Sequence, residues 1–345
     1  TAIIGIATKF FTCTLSVMFR EKSNEGEILG GPMYVIKNGL PKNMLPLAYF
    51  FAFAGMIGCL PAFQSNQLIQ ITGDLGFSNI ENFNIYGGLS LASITALVVL
   101  GGLKRIAEVA SYLVPFMGSI YFGAMLIAIV LNINLVIPAF SLIITDAFSG
   151  TAIAGGTFFG VLIYGVRRGA FSNEAGMGTE SLVHGVAKVS NPVKQGLVAM
   201  TGPIFDTLII CTATALMILI SGVWETSASQ GVTLTAEAFS SLLGSFGVFV
   251  LFACVICFGL STIFTYSYYG ASCSRFLFGK LGMRFYIYLY IISIFVYSIV
   301  PIDIAINIAD GAFAMMAIPT LVSALWLAPK VMQASKNYFK IIEER

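Results

Sequence analysis

Apolar residues fall in nine long runs, and polar residues gather between them. The runs are 2–19, 45–71, 85–102, 112–137, 152–166, 196–223, 246–269, 285–300 and 311–328. At 1.5 Å per residue, about 20 apolar residues cross the ~30 Å hydrocarbon core of a bilayer. The pattern therefore predicts an all-α polytopic membrane protein with about nine transmembrane helices.

The connectors predict which side each one faces. Seventeen of the 18 basic residues follow odd-numbered runs: Arg20, Lys22, Lys37 and Lys42; Lys104 and Arg105; Arg167, Arg168, Lys188 and Lys194; Arg275, Lys280 and Arg284; Lys330, Lys336, Lys340 and Arg345. The even connectors hold Asp74, Glu81, Asp146, Glu225, Glu237 and Asp303. Basic loops stay in the cytoplasm, so the amino end is expected outside and the carboxyl end inside. An odd count with an outward start fits a ten-helix core lacking one inside-to-outside helix before Thr1. That implies two inverted five-helix halves, with 1–150 as the rest of the first and 151–345 as the second plus a cytoplasmic tail, together one transmembrane domain. In such an arrangement the fifth run is a candidate broken helix. It is short and carries Gly155, Gly156, Gly160 and Gly165, although glycine also serves close helix packing.

Composition agrees and excludes other classes. The chain is 57% hydrophobic and only 10% charged, with mean hydropathy +0.90. A net charge of +2 is too weak for a surface that tracks nucleic acid. The six cysteines lie in or beside apolar runs and read as small buried hydrophobes. Cys254 and Cys257 form a CxxC with no second pair and no histidine beside it, so packing at lipid depth is expected there rather than a metal site. His184 is the lone histidine. No nucleophile motif and no phosphate loop is present, which argues against an enzyme or an ATP-driven pump.

Ionisable groups at membrane depth are costly and are functional candidates. Lys9 lies eleven residues from Arg20 and Asp206 twelve from Lys194, each roughly 17 Å along its helix. An ion pair between them is expected, structural in role. After Pro61 the second run is interrupted by Gln64, Ser65, Asn66 and Gln67, whose amides could hold a zwitterion or bond between helices. Ser261, Thr262 and Thr265 form a hydroxyl cluster suited to a hard monovalent cation, or to bonding back to their own helix.

Several segments carry a resemblance. Gly30-Gly-Pro-Met-Tyr34 with the following Val-Ile-Lys-Asn-Gly-Leu resembles the first cytoplasmic loop of the alanine or glycine:cation symporter family. Gly165-Val-Arg-Arg-Gly-Ala-Phe-Ser-Asn-Glu-Ala-Gly-Met-Gly178 resembles its most distinctive cytoplasmic segment, continued by Asn191 to Met200. Asp206-Thr207, Cys211 to Leu216, Tyr268-Tyr269-Gly270 and Met316 to Pro319 fit its later helices. The resemblance implies a LeuT-like inverted-repeat fold in a bacterial inner membrane. It also implies uptake of a small neutral amino acid, alanine or glycine, coupled to a cation, usually Na+ and alternatively H+. By position it implies substrate contacts at Gln64, Asn66, Gly155, Gly156, Phe159 and Ile163, and cation ligands at Ser261 and Thr262. A cytoplasmic gate is expected at Arg167, Arg168, Asn173 and Glu174. The chain departs from the family pattern at Thr12, where an acidic residue is common, and at Thr179-Glu180-Ser181, where Ser-Ala-Pro is usual. The competing readings are a membrane sensor that binds the amino acid without moving it, and an inactive fragment.

Overall fold

The computed structural model describes residues 1–73, 79–148, 157–229 and 231–344. It is helical apart from one short hairpin. α1 (Ala2–Met18) leads into strands β1 (Glu21–Lys22) and β2 (Ile28–Leu29), which pair antiparallel with Glu21 opposite Leu29. Then follow α2 (Pro32–Gly39), α3 (Leu45–Gly58), α4 (Ala62–Thr72), α5 (Phe83–Val99), α6 (Gly102–Leu131) and α7 (Ile133–Ala147). The second half holds α8 (Thr157–Asn173), α9 (Thr179–His184), α10 (Pro192–Pro203), a π-helical segment (Ile204–Cys211) and α11 (Thr212–Ser221). It closes with α12 (Val223–Thr226), α13 (Val232–Tyr297) and α14 (Ile302–Glu343).

Among the described residues, five helical stretches are long and apolar enough to cross a membrane: Lys42–Thr72, Gly102–Leu131, Pro192–Ser221, Val232–Tyr297 and Ile306–Glu343. Ala2–Met18, Phe83–Val99 and Ile133–Ala147 are shorter apolar helices. Many large apolar side chains point outward, including Phe53, Leu97, Leu131, Phe249 and Leu325. A continuous apolar exterior is what an integral multi-pass membrane protein presents to lipid.

Local chemistry sets the breaks. α3 and α4 are separated at Pro61, which has no N–H to continue the ladder. α13 is not one rod. Gly279 takes φ 70°, a region only glycine enters freely, and the chain turns back on itself there. Tyr286 then packs onto Gly270, where a Cβ would overlap its ring, and donates to the Met56 carbonyl at 2.8 Å. Tyr290 donates to the Ile263 carbonyl at 2.6 Å. Both rings are fully buried beside Phe51, Met33 and Ile263 in the main core. A phenol hydroxyl left unpaired there would cost about 1–3 kcal/mol, so both find a carbonyl.

α1 packs along α10. Gly196 permits the crossing, since a Cβ there would meet Thr14 Oγ1 and Phe10. The hairpin is tied to the turn of α13 by Glu27 to Arg275 and Glu25 to Lys280, and to α2 by Glu21 to Lys37 at 2.9 Å.

A central cavity at a broken helix

The sequence expects residues 167–195 to form a cytoplasmic connector, and the structure gives that stretch helices of its own. α8 runs on through Arg167 and Arg168 to Asn173. The chain then breaks over 174–178 and resumes as α9. Glu174, Gly176 and Gly178 have φ of 56°, 86° and 90°, and Asn173 Oδ1 caps the turn by accepting the Ala175 N–H at 3.0 Å. The break lies against the first half of α1. A Cβ on Gly5 would come within 3.1 Å of Ala175, and one on Gly176 within 3.5 Å of Thr8. The chain reaches the far end of α1 only at Ala187, whose carbonyl accepts from Arg20 Nη1 at 2.8 Å.

Gly178 is required by space as well as by φ. A Cβ there would stand 2.6 Å from Pro32 Cγ and Thr320 Oγ1.

Beside the break is a cavity of about 470 Å³. Its polar wall is Gln64 and Gln67 from α4, Ser172 from the end of α8, Glu174 from the break, Asp206 from the π-helical segment, and Thr262 and Tyr266 from α13. Phe63, Phe171 and Phe258 supply apolar cover. A volume of that order, mostly apolar with a few convergent polar groups, is what small-molecule sites look like.

Both carboxylates are held by the fold. Glu174 Oε1 accepts from the Tyr266 hydroxyl at 2.7 Å and Oε2 from Thr179 at 2.6 Å. Asp206 Oδ2 accepts from Ser172 at 2.6 Å and from its neighbour Thr207 at 3.1 Å. Asn173 Nδ2 donates to Thr207 at 3.3 Å. Pro203 explains the π geometry at Asp206: lacking an N–H, it slips the helix register, as recurs at functional sites.

The expected ion pair is absent. Among the described residues no carboxylate oxygen lies within 4 Å of Lys9, whose ammonium sits over Gly202. The two residues do share a region, but hydroxyl donors, not Lys9, satisfy Asp206.

The other expected site residues divide. Gln64 lines the cavity, whereas Asn66, half a helical turn away, donates to the Val300 carbonyl at 2.6 Å. Ser261 and Thr262 both donate back to the Phe258 carbonyl, at 2.9 and 3.0 Å, and Thr262 alone of the two lines the cavity. Phe159 and Ile163 are 68% and 59% exposed on α8, away from the cavity. Gly155 and Gly156 lie outside the described residues. The expected cytoplasmic gate separates too. Arg167 is exposed, Arg168 binds Asp310 of α14 at 2.5 Å under the rings of Tyr164 and Phe171, Asn173 ends α8 and Glu174 opens the break.

Sequence reasoning missed Tyr266, Ser172 and Asp310. Tyr266 lies four residues after Thr262, hence on the same helical face, a signal that was available. Asp310 stands one residue before the ninth run, where hydropathy gives no reason to mark it.

Below the break, Thr12 Oγ1 meets Glu180 Oε1 at 3.0 Å. Glu180 is 4% exposed, and its Oε2 has no hydrogen-bond partner.

His184 closes α9 at the Arg20 end of the bundle and contacts Gln195 at 2.5 Å. Burial first, and the nearby Lys9 charge second, push its imidazole down to about 4.

Comparison with known proteins identifies a family. The profile of the sodium:alanine symporter family matches residues 1–345. The sodium/alanine symporter AgcS of Methanococcus maripaludis is 35% identical over 99% of this chain and 76% of its own length. The uncharacterized transporter YflA of Bacillus subtilis is 35% identical over 98% of this chain and 72% of its own length. The probable sodium/glutamine symporter GlnT of the same organism is 33% identical over 98% and 70%. These relatives are named as transporters and not as enzymes. With a bundle of apolar helices, a helix broken beside a polar cavity and a profile match from end to end, the chain belongs to the sodium:alanine symporter family.

Proposed function

We propose that the protein is a secondary active transporter that imports a small neutral amino acid, alanine or glycine, together with Na+. The observation that carries this reading is the cavity at the break. It is small, and it offers amides at Gln64 and Gln67, hydroxyls at Thr262 and Tyr266, and the carboxylate of Asp206 with no basic residue paired to it. Asp206 is suited to the ammonium of a zwitterion or to the coupled cation, and Gln64 to the substrate carboxylate. Phe63, Phe171 and Phe258 would exclude larger side chains. The names of AgcS and GlnT support sodium coupling and an amino-acid substrate.

The proposed cycle is alternating access across a five-plus-five inverted repeat, 1–150 and 151–345, with the cation favouring the substrate-competent state by binding it better than the alternative. The basic connectors support a cytoplasmic carboxyl end, in a bacterial inner membrane.

The test is uptake of labelled alanine into proteoliposomes under an inward sodium gradient, with counterflow of labelled alanine as control. Gradient-driven accumulation supports the symporter. Binding without counterflow would mark a sensor instead.

A further inference from the structure

Glu180 is a carboxylate buried in the contact between α9 and α1. Thr12 satisfies one of its oxygens, and the other is shut from solvent with no donor. An ionised carboxylate in that position loses its hydration and gains one neutral hydrogen bond, a poor exchange. A proton on Oε2 removes the charge and the deficit together.

The surroundings do not supply a counter-ion in contact. The ionisable groups within electrostatic reach are Lys9 and Cys13 of α1, Glu174 at the break and Tyr269 of α13. Lys9 favours the anion and Glu174 opposes it, and neither touches Glu180. Around it the contact is otherwise matched: Ser16 donates to the Ser181 carbonyl at 2.7 Å and accepts from the Gly31 N–H at 2.8 Å.

From this we infer that Glu180 is a proton-binding site, protonated while α9 is closed on α1 and releasing the proton to water when the two separate toward the Arg20 face. The balance is simple: the carboxylic acid loses H+ to solvent on that side and regains it on closing, with no other group consumed. Linkage then fixes the sign. A carboxylate that binds its proton more tightly closed than open favours the closed contact at acid pH, and that preference falls as pH rises from the ordinary glutamate range toward the buried value. Acid on the Arg20 side holds the contact shut, and neutral or alkaline pH frees it.

The uptake arm of the test rests on the transporter reading, and the infrared arm does not. Infrared spectra of the full chain in proteoliposomes, across about pH 5 to 8, should show a protonated carboxyl band that Glu180→Gln removes. Uptake of labelled alanine should rise several-fold as the pH on the Arg20 side rises over the same range, and stay flat and low in Glu180→Gln, where the amide mimics the protonated acid. The pair Thr12→Glu with Glu180→Ala returns the carboxyl to the contact from the α1 side, and should restore both band and pH response, including where Glu180→Gln folds poorly. A band that survives Glu180→Gln, or a Gln variant that keeps the original pH profile, overturns the inference. Absence of uptake in every protein would overturn the transporter reading and leave the band to decide the proton site.

Discussion

Arg168 and Asp310 stand 142 residues apart and meet at 2.5 Å, joining the helix above the break to the start of α14. The guanidinium also lies over Tyr164 and Phe171, at 5.6 and 5.4 Å from their ring centres. Arg168 thus has a carboxylate on one side and aromatic faces on the other, an arrangement a lysine point charge would not reproduce. The pair is only partly exposed, so it should count for more than a surface ion pair.

A double-mutant cycle over Arg168→Gln and Asp310→Asn should give a coupling of about 1–2 kcal/mol in thermal unfolding in detergent. Arg168→Lys should recover less than half of it. Additive single effects would show that the contact contributes nothing beyond its two separate side chains.

Gly178→Ala should be among the most damaging single changes in the chain. The methyl group meets Pro32 and Thr320 at 2.6 Å, and φ of 90° is strained for any residue with a Cβ. A loss of at least about 2 kcal/mol is expected, seen as aggregation on size-exclusion chromatography. Gly118→Ala, with nothing within 4 Å of the added carbon, should be tolerated and serves as the control.

Tyr266→Phe removes the donor to Glu174 Oε1 at the edge of the cavity. Oε1 loses its donor while Thr179 still holds Oε2, which should cost about 1–3 kcal/mol and alter alanine affinity in a transport assay. An unchanged melting temperature with unchanged uptake would show that solvent replaces the hydroxyl.

Lys9→Met and Asp206→Asn should have independent effects, because the two side chains do not touch. Asp206→Asn should raise the KM for alanine or for sodium, and which of the two rises tells whether the carboxylate meets the ammonium or the metal cation. A strong coupling between the two substitutions would mean that they pair in another state of the transport cycle.

His184 should destabilise the fold toward acid. Its folded value is pushed down to about 4, so the neutral ring contributes fully above the ordinary histidine value of about 6.5 and progressively less as pH falls from there to about 4. His184→Gln should flatten the loss of thermal stability over that interval.

What the sequence determined by itself is the class of solvent. Runs of about 20 apolar residues have no alternative but a bilayer or a very large core, and 345 residues cannot build the latter. The connector between the runs 246–269 and 285–300 was legible because basic residues interrupt the apolar pattern, whereas the helix break at Pro61, inside one apolar run, and the left-handed turn at Gly279 emerged only in the fold. Pairing was not legible. The depth of Lys9 and Asp206 followed from counting residues, but azimuth around a helix did not, and azimuth decided that Asp206 meets Ser172 while Lys9 turns toward Gly202. Residues 167–178 look like a polar loop because they carry two arginines and a glutamate. Only the folded bundle supplies Asp310 for Arg168 and Tyr266 and Thr179 for Glu174, and so places an unwound backbone beside the cavity, while Arg167 stays exposed. The same holds for Thr12 and Glu180, which are unremarkable 168 residues apart and become one site only when α1 and α9 are packed together.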